Sequence, residues 1–82
     1  AWRVVPDDDL MAEARSLAGR LCRAAPLAAR ATKEVAVRAW EMGWTEAVRF
    51  GETMRRVAGT TDDAAEGRTA WREKRSPEWE GR

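Results

Sequence analysis

Trp71 and Lys74 stand three residues apart near the end of the chain, in the run TAWREKR. On a helix, that spacing puts both side chains on one face. Their types suggest a chemistry. An indole offers a flat surface for a purine ring, and a lysine one turn away offers a point charge for a phosphate. Ala64 and Gly67 fall on the same face, with Arg68 and Arg75 on the adjacent side. The plain alternative is that Trp71 packs into a helical core and the cations face solvent. Spacing alone leaves both readings open.

Other chemistries are harder to build. The chain has no His, so neither a Ser-His-Asp triad nor a His-based metal site is available. Cys22 is alone and forms no disulfide within the chain. It falls near the apolar face of the first helix and is expected to be a buried, inert thiol, since a reactive one needs a base or an electropositive setting. Asp7, Asp8 and Asp9 form an acidic run that could suggest a metal. Helix capping explains the run more simply, and no metal site is expected. No pair of carboxylates stands out as an acid/base couple.

Composition limits what can position these residues. The chain has 82 residues, enough for one domain at most. Apolar residues make up 44%, but many are alanine, and the larger ones are mainly 4 Leu, 6 Val, 3 Met and 5 Trp. At roughly 25 cal/mol per Å² of apolar area, such a core would barely offset the entropy of ordering the chain. That points to a partner surface, an oligomer or a missing part of the same protein. The net charge is +1, from 15 basic and 14 acidic residues, which argues against a nucleic-acid partner. No apolar run approaches a membrane span. The N-terminus shows no secretory pattern, so a reducing cytoplasm is the expected compartment. The Ala/Arg/Trp-rich composition suggests a bacterial, GC-rich coding sequence.

The elements read as four helices with short connections: an all-α chain. AWRVV is a β-like stub ended by Pro6, with no second strand to pair with. Residues 1–6 are therefore expected to be a truncated strand or loop. Residues 7–75 form the helical region, and residues 76–82 an extended tail. Asp7 or Asp8 caps a first helix that carries Leu10, Ala14, Leu17 and Leu21 at helical spacing. Pro26 opens the second, which runs from about Leu27 to Met42 with a stripe of small side chains. Gly43 serves as its C′ residue, and Trp44 folds back on its last turn. Thr45 caps the third helix at once, so the two helices should be neighbours. The third carries Ala47, Phe50, Gly51, Met54, Val57 and Ala58 on one side. Gly51 costs about 1 kcal/mol against Ala, and close packing is the expected compensation. Thr61 caps the fourth helix.

Taken in order, three segments resemble the C-terminal part of the enoyl-CoA hydratase/isomerase (crotonase) family. RVVPDDDLMAEARSLAGRL resembles the family's "VVP-acidic-L" opening of a helix. APLAARATKEV resembles its "P-x-A-x-x-x-x-K" helix. TTDDAAEGRTAWREKRSPEWEGR resembles its closing "T-E-D-x-x-E-G-x-x-A-F-x-E-K-R-x-P-x-F-x-G". The likeness covers nearly the whole chain.

The resemblance implies a fragment of a larger α/β spiral-fold enzyme of fatty acid metabolism. In it these helices pack on the catalytic domain and on neighbouring subunits of a homotrimer or hexamer. It implies acyl-CoA as the parent's substrate, with no separate cofactor. It places Trp71 and Lys74 near the adenosine end of coenzyme A, often that of a neighbouring subunit. Trp79 matches the family's later aromatic and Pro77 the turn before it. There are departures. The family has Phe where Trp71 and Trp79 stand, an apolar residue where Arg72 stands, and an aromatic where Gly59 stands. The family's reaction also needs an oxyanion hole and one or two carboxylates, which it carries upstream. The 82-residue chain alone is therefore expected to be inactive and to self-associate.

Three classes of function remain. One is the helical oligomerisation and CoA-covering region of an acyl-CoA hydratase or isomerase. Another is a free-standing helical interaction module. The third is a small nucleic-acid binder, which the charge balance disfavours.

Overall fold

Residues 2–82 are described by a computed structural model, and their regular structure is entirely helical. The helices are α1 (Leu10–Leu21), α2 (Pro26–Arg38), α3 (Trp44–Gly59) and α4 (Asp62–Glu73). Single 3-10 turns at Asp7–Asp9 and Ala39–Glu41 lie before α1 and after α2. No described helix is long and apolar enough to cross a membrane.

Several local expectations change. Of the N-terminal stub, Ala1 lies outside the described residues. Residues 2–6 form no strand, in keeping with the lack of a partner to pair with. Arg3 instead reaches Glu13, at 2.6 Å. The acidic run does not cap α1 through a side chain. It forms the 3-10 turn itself, whose aspartates still suit the positive end of the helix that follows. The second helix is shorter than expected, because the chain tightens into a 3-10 turn at Ala39 and becomes extended at Met42. Gly43 is therefore the N-cap of α3 rather than a left-handed C′ residue, with φ −64° and ψ 158°. Thr45 lies inside α3 and caps nothing, and Trp44 is exposed rather than folded back.

The short turn does make α2 and α3 neighbours, packed as a helical hairpin. Gly51 faces Val35 across the contact. A Cβ on Gly51 would lie 3.7 Å from Val35 Cγ1, ordinary van der Waals distance, so the small residue brings the two backbones close. Val57 falls outside the packed face and is exposed.

Among the described elements, α1 packs closely only against its own preceding turn. Its apolar stripe is consequently open at both ends: Leu10 is 57% exposed and Leu21 63%, while Leu17 between them is half-buried. Cys22, at the end of this helix, is exposed too, not buried, because no described helix packs closely over this end of the stripe.

The molecule is open and flat, with extents of 42 × 39 × 18 Å. Its radius of gyration is 15.8 Å, whereas a compact chain of this length would have about 12 Å. Its accessible surface is 7135 Å². A compact monomer of its mass would expose about 4,900 Å², so roughly 2,200 Å² is in excess.

Candidate functional site

Only Asp63 and Ala70 are buried among the described residues, and both belong to α4. The helix starts as its sequence suggests. Thr61 Oγ1 accepts the Ala64 N–H at 3.1 Å, and Asp62 and Asp63 occupy the positive first turn.

Asp63 then does something local patterning does not show. Its Oδ1 accepts the Glu80 N–H at 2.8 Å and its Oδ2 the Gly81 N–H at 2.9 Å. Its own N–H donates to the Arg82 carbonyl at 2.8 Å. Gly81, at φ 76°, makes the bend that brings these groups round. One buried carboxylate thus holds the end of the tail against the start of α4.

Glu66, one turn on, is a second clamp. It accepts the Glu78 N–H at 2.8 Å and pairs with both terminal nitrogens of the Arg75 guanidinium, one of them at 2.9 Å. The Arg75 hydrogen bonds, followed by the Glu78 amide, lower the Glu66 carboxyl to about 2. The same pairing, with Glu73 added, raises Arg75 above its ordinary value.

Between the clamps, Trp79 crosses α4 at Gly67. A Cβ on Gly67 would lie 3.3 Å from Trp79 Cη2. The indole Nε1–H reaches on to donate to the Arg23 carbonyl at 3.1 Å, tying the tail to the α1–α2 turn.

α4 ends at Lys74, which adopts φ 54° and ψ 38°. The Arg75 N–H bonds to the Ala70 carbonyl and the Lys74 N–H to the Trp71 carbonyl, the paired pattern that closes helices through a left-handed residue. Glycine is the usual occupant. Lys74 therefore leaves the helical register, and the expected shared face holds only for Ala64, Gly67 and Trp71.

Those three residues line an open cleft of about 830 Å³ beside α4. Trp71 stands in it at 83% exposure, so the core-packing alternative does not describe it here. Trp79, Arg68, Arg72 and Ala25 complete its principal walls. Lys74 is exposed and does not line it. A second open groove, of about 530 Å³, runs between α2 and α3 beneath Ala28, Ala31, Val35, Gly51, Met54 and Ala58, and its surface is almost wholly apolar.

The clamps explain a sequence pattern: an acid at 63, an acid at 66, glycine at 67, and an aromatic at 79 form one folded unit. The chain belongs to the enoyl-CoA hydratase/isomerase family, whose model matches residues 1–82. It is 39% identical to the probable enoyl-CoA hydratase of Mycobacterium tuberculosis over 77 residues, 94% of this chain and 30% of that protein. It is 40% identical to the carnitinyl-CoA dehydratase of Escherichia coli K12, over 98% of this chain and 32% of the other. A crystal structure of an enoyl-CoA hydratase/isomerase from Mycobacterium paratuberculosis superposes with a TM-score of 0.90 at 37% identity, covering 95% of this chain and 31% of that one. The chain thus spans about a third of the length of its relatives.

Proposed function

We propose that the chain is the C-terminal helical region of a crotonase-family acyl-CoA enzyme, where it covers coenzyme A and meets its own catalytic domain and neighbouring subunits. The observation that carries this is the excess surface. Roughly 2,200 Å² beyond that of a compact monomer matches what one partner gives to a large permanent interface, about 1,000–2,500 Å². The uncovered stripe of α1 and the apolar α2–α3 groove are where that surface is found.

The parent's reaction, on this reading, is a hydration, dehydration or double-bond shift on an acyl-CoA, the activities for which the relatives are named. Trp71 acts as a wall for the adenine or pantetheine, and Lys74 as a charge partner for a phosphate. The catalytic carboxylates come from elsewhere in the parent. On α4, Asp63 is committed to the tail amides and Glu66 to Arg75 and the Glu78 amide, so neither serves as a base. The compartment is a reducing cytoplasm, in which the exposed thiol of Cys22 stays free.

Two observations test this reading. The purified 82-residue chain should not hydrate crotonyl-CoA; measurable turnover free of host enzyme would overturn the reading. The coding sequence upstream of Ala1 should continue in frame into a catalytic domain. A start codon immediately before Ala1 would favour a free-standing interaction module instead.

A further inference from the structure

Helix–helix packing does little to fix the direction of α1. No other described helix packs closely against it, and of Leu10, Ala14, Leu17 and Leu21 only Leu17 is half-buried. The turn that follows it divides at one residue. The N–H groups of Cys22, Arg23 and Ala24 donate back to the carbonyls of Ala18, Arg20 and Leu21, so the chain belongs to α1 as far as Ala24. Ala25 leaves the helical region, at φ −57° and ψ 127°, and its carbonyl already accepts the Ala29 N–H of α2. Pro26 disfavours a helical conformation in the residue before it, which makes Ala25 the hinge between the two helices.

Trp79 spans this hinge from α4. Its ring lies on Gly67, and Asp63 holds the Glu80 and Gly81 amides just beyond it. The indole Nε1–H donates to the carbonyl of Arg23, on the α1 side of Ala25, at 3.1 Å. The usual turn partner of that carbonyl is missing, because Pro26, three residues on, has no N–H. The bond therefore joins α4 to the end of α1 without passing through α2 or α3. Phenylalanine, the residue of the family pattern at this position, could lie on Gly67 but has no N–H to donate.

We infer that Trp79 is a brace: its indole N–H locks the hinge at Ala25 and fixes the direction of α1 relative to α4. Trp79 is thus a positioning residue, and the bond it adds comes with its departure from the family pattern. The fixed angle also sets where the open stripe of α1 stands relative to the apolar α2–α3 groove. Surfaces that a partner covers are then ordered before it arrives, which lowers the entropic cost of association. This last step rests on the proposed function; the brace itself does not.

Distances between paired spin labels on the full 82-residue chain, with Cys22→Ser as background, are the test. Labels at Ser16→Cys and Lys33→Cys report the α1–α2 angle, and labels at Lys33→Cys and Arg56→Cys report the α2–α3 hairpin. An excess of unlabelled chain restricts the readings to distances within one copy. With Trp79 present, the first pair should give one narrow distance. Trp79→Phe removes one hydrogen bond, so other α1–α2 distances should gain about two- to ten-fold in population. Trp79→Ala should broaden the distribution further, and the hairpin pair should stay unchanged in both variants. Broadening in Trp79→Ala but not in Trp79→Phe would mean that packing alone holds the turn, and overturns the inference. So would a first pair that is already broad with Trp79 in place, or one that neither variant alters. Each of these failures leaves the proposed covering role intact, because that role rests on the exposed surface and not on the angle of α1.

Discussion

Trp79 lies across Gly67 so closely that a single added methyl group would sit 3.3 Å from the indole Cη2. The ring cannot retreat freely, since its Nε1–H is held by the Arg23 carbonyl. Gly67→Leu should therefore destabilise the chain by about 1–3 kcal/mol through overpacking. Gly19→Ala is the control. Gly19 sits inside α1 with nothing within 4 Å of its added Cβ, and the change should stabilise by about 0.5–1 kcal/mol. Thermal unfolding of the two variants should move in opposite directions; equal shifts would contradict the packing account.

The tail is held by a buried carboxylate, so its charge and its two acceptors both matter. Asp63→Asn replaces one acceptor with an N–H₂ group that faces a backbone N–H. Loss of hydrogen bonds to a charged group should cost about 1.5–3 kcal/mol. Amide exchange at Glu80 and Gly81 should accelerate in the variant, while exchange in the middle of α3 stays as before. Unchanged protection at Glu80 and Gly81 would show that the clamp does not hold the tail.

Acid should loosen the second clamp. The Glu66 carboxyl is lowered from its ordinary 4.5 to about 2 by Arg75 and the Glu78 amide. The folded state thus binds this proton more weakly than the unfolded chain. The clamp's contribution is complete above about 4.5 and is lost as the pH falls towards about 2. Exchange-based protection of the Glu78 amide should fall across that window, and Glu66→Gln should remove that part of the response. A variant with the same acid profile as the unaltered chain would refute the assignment.

Lys74 combines a strained backbone with a surface charge, and two substitutions separate them. Lys74→Gly removes the left-handed penalty and should stabilise by about 1 kcal/mol, whereas Lys74→Ala keeps it and should change stability little. Denaturant midpoints would distinguish the two. A glycine variant no more stable than the alanine variant would mean that the φ of 54° costs nothing here.

Legibility in the sequence followed the range of the interaction. The Thr61 cap and the α2–α3 neighbourhood depend on residues a few positions apart, and both could be read. The tail clamp could not. Trp79 finds its acceptor 56 residues away, and Asp63 its amide partners 17 and 18 residues on. Local periodicity carries no such pairings; only the resemblance to the family's closing motif marked these positions as belonging together. The expected burial of Cys22 fails for the same physical reason that leaves Leu10 exposed. An apolar stripe predicts burial only if something is there to cover it, and no other described helix packs closely against α1. Spacing puts Lys74 on the Trp71 face because it assumes that the helix continues. The helix closes at that very residue, and the cleft is left with Arg68 and Arg72 as its cations.

The central claim is that these helices present surfaces meant to be covered. Sedimentation velocity of the purified 82-residue chain from about 1 to 100 μM tests it most directly. Excess apolar surface on an open chain should drive association, so the account predicts species larger than a monomer whose share grows with concentration. A single compact monomer across the whole range, with the frictional behaviour of a sphere, would contradict it.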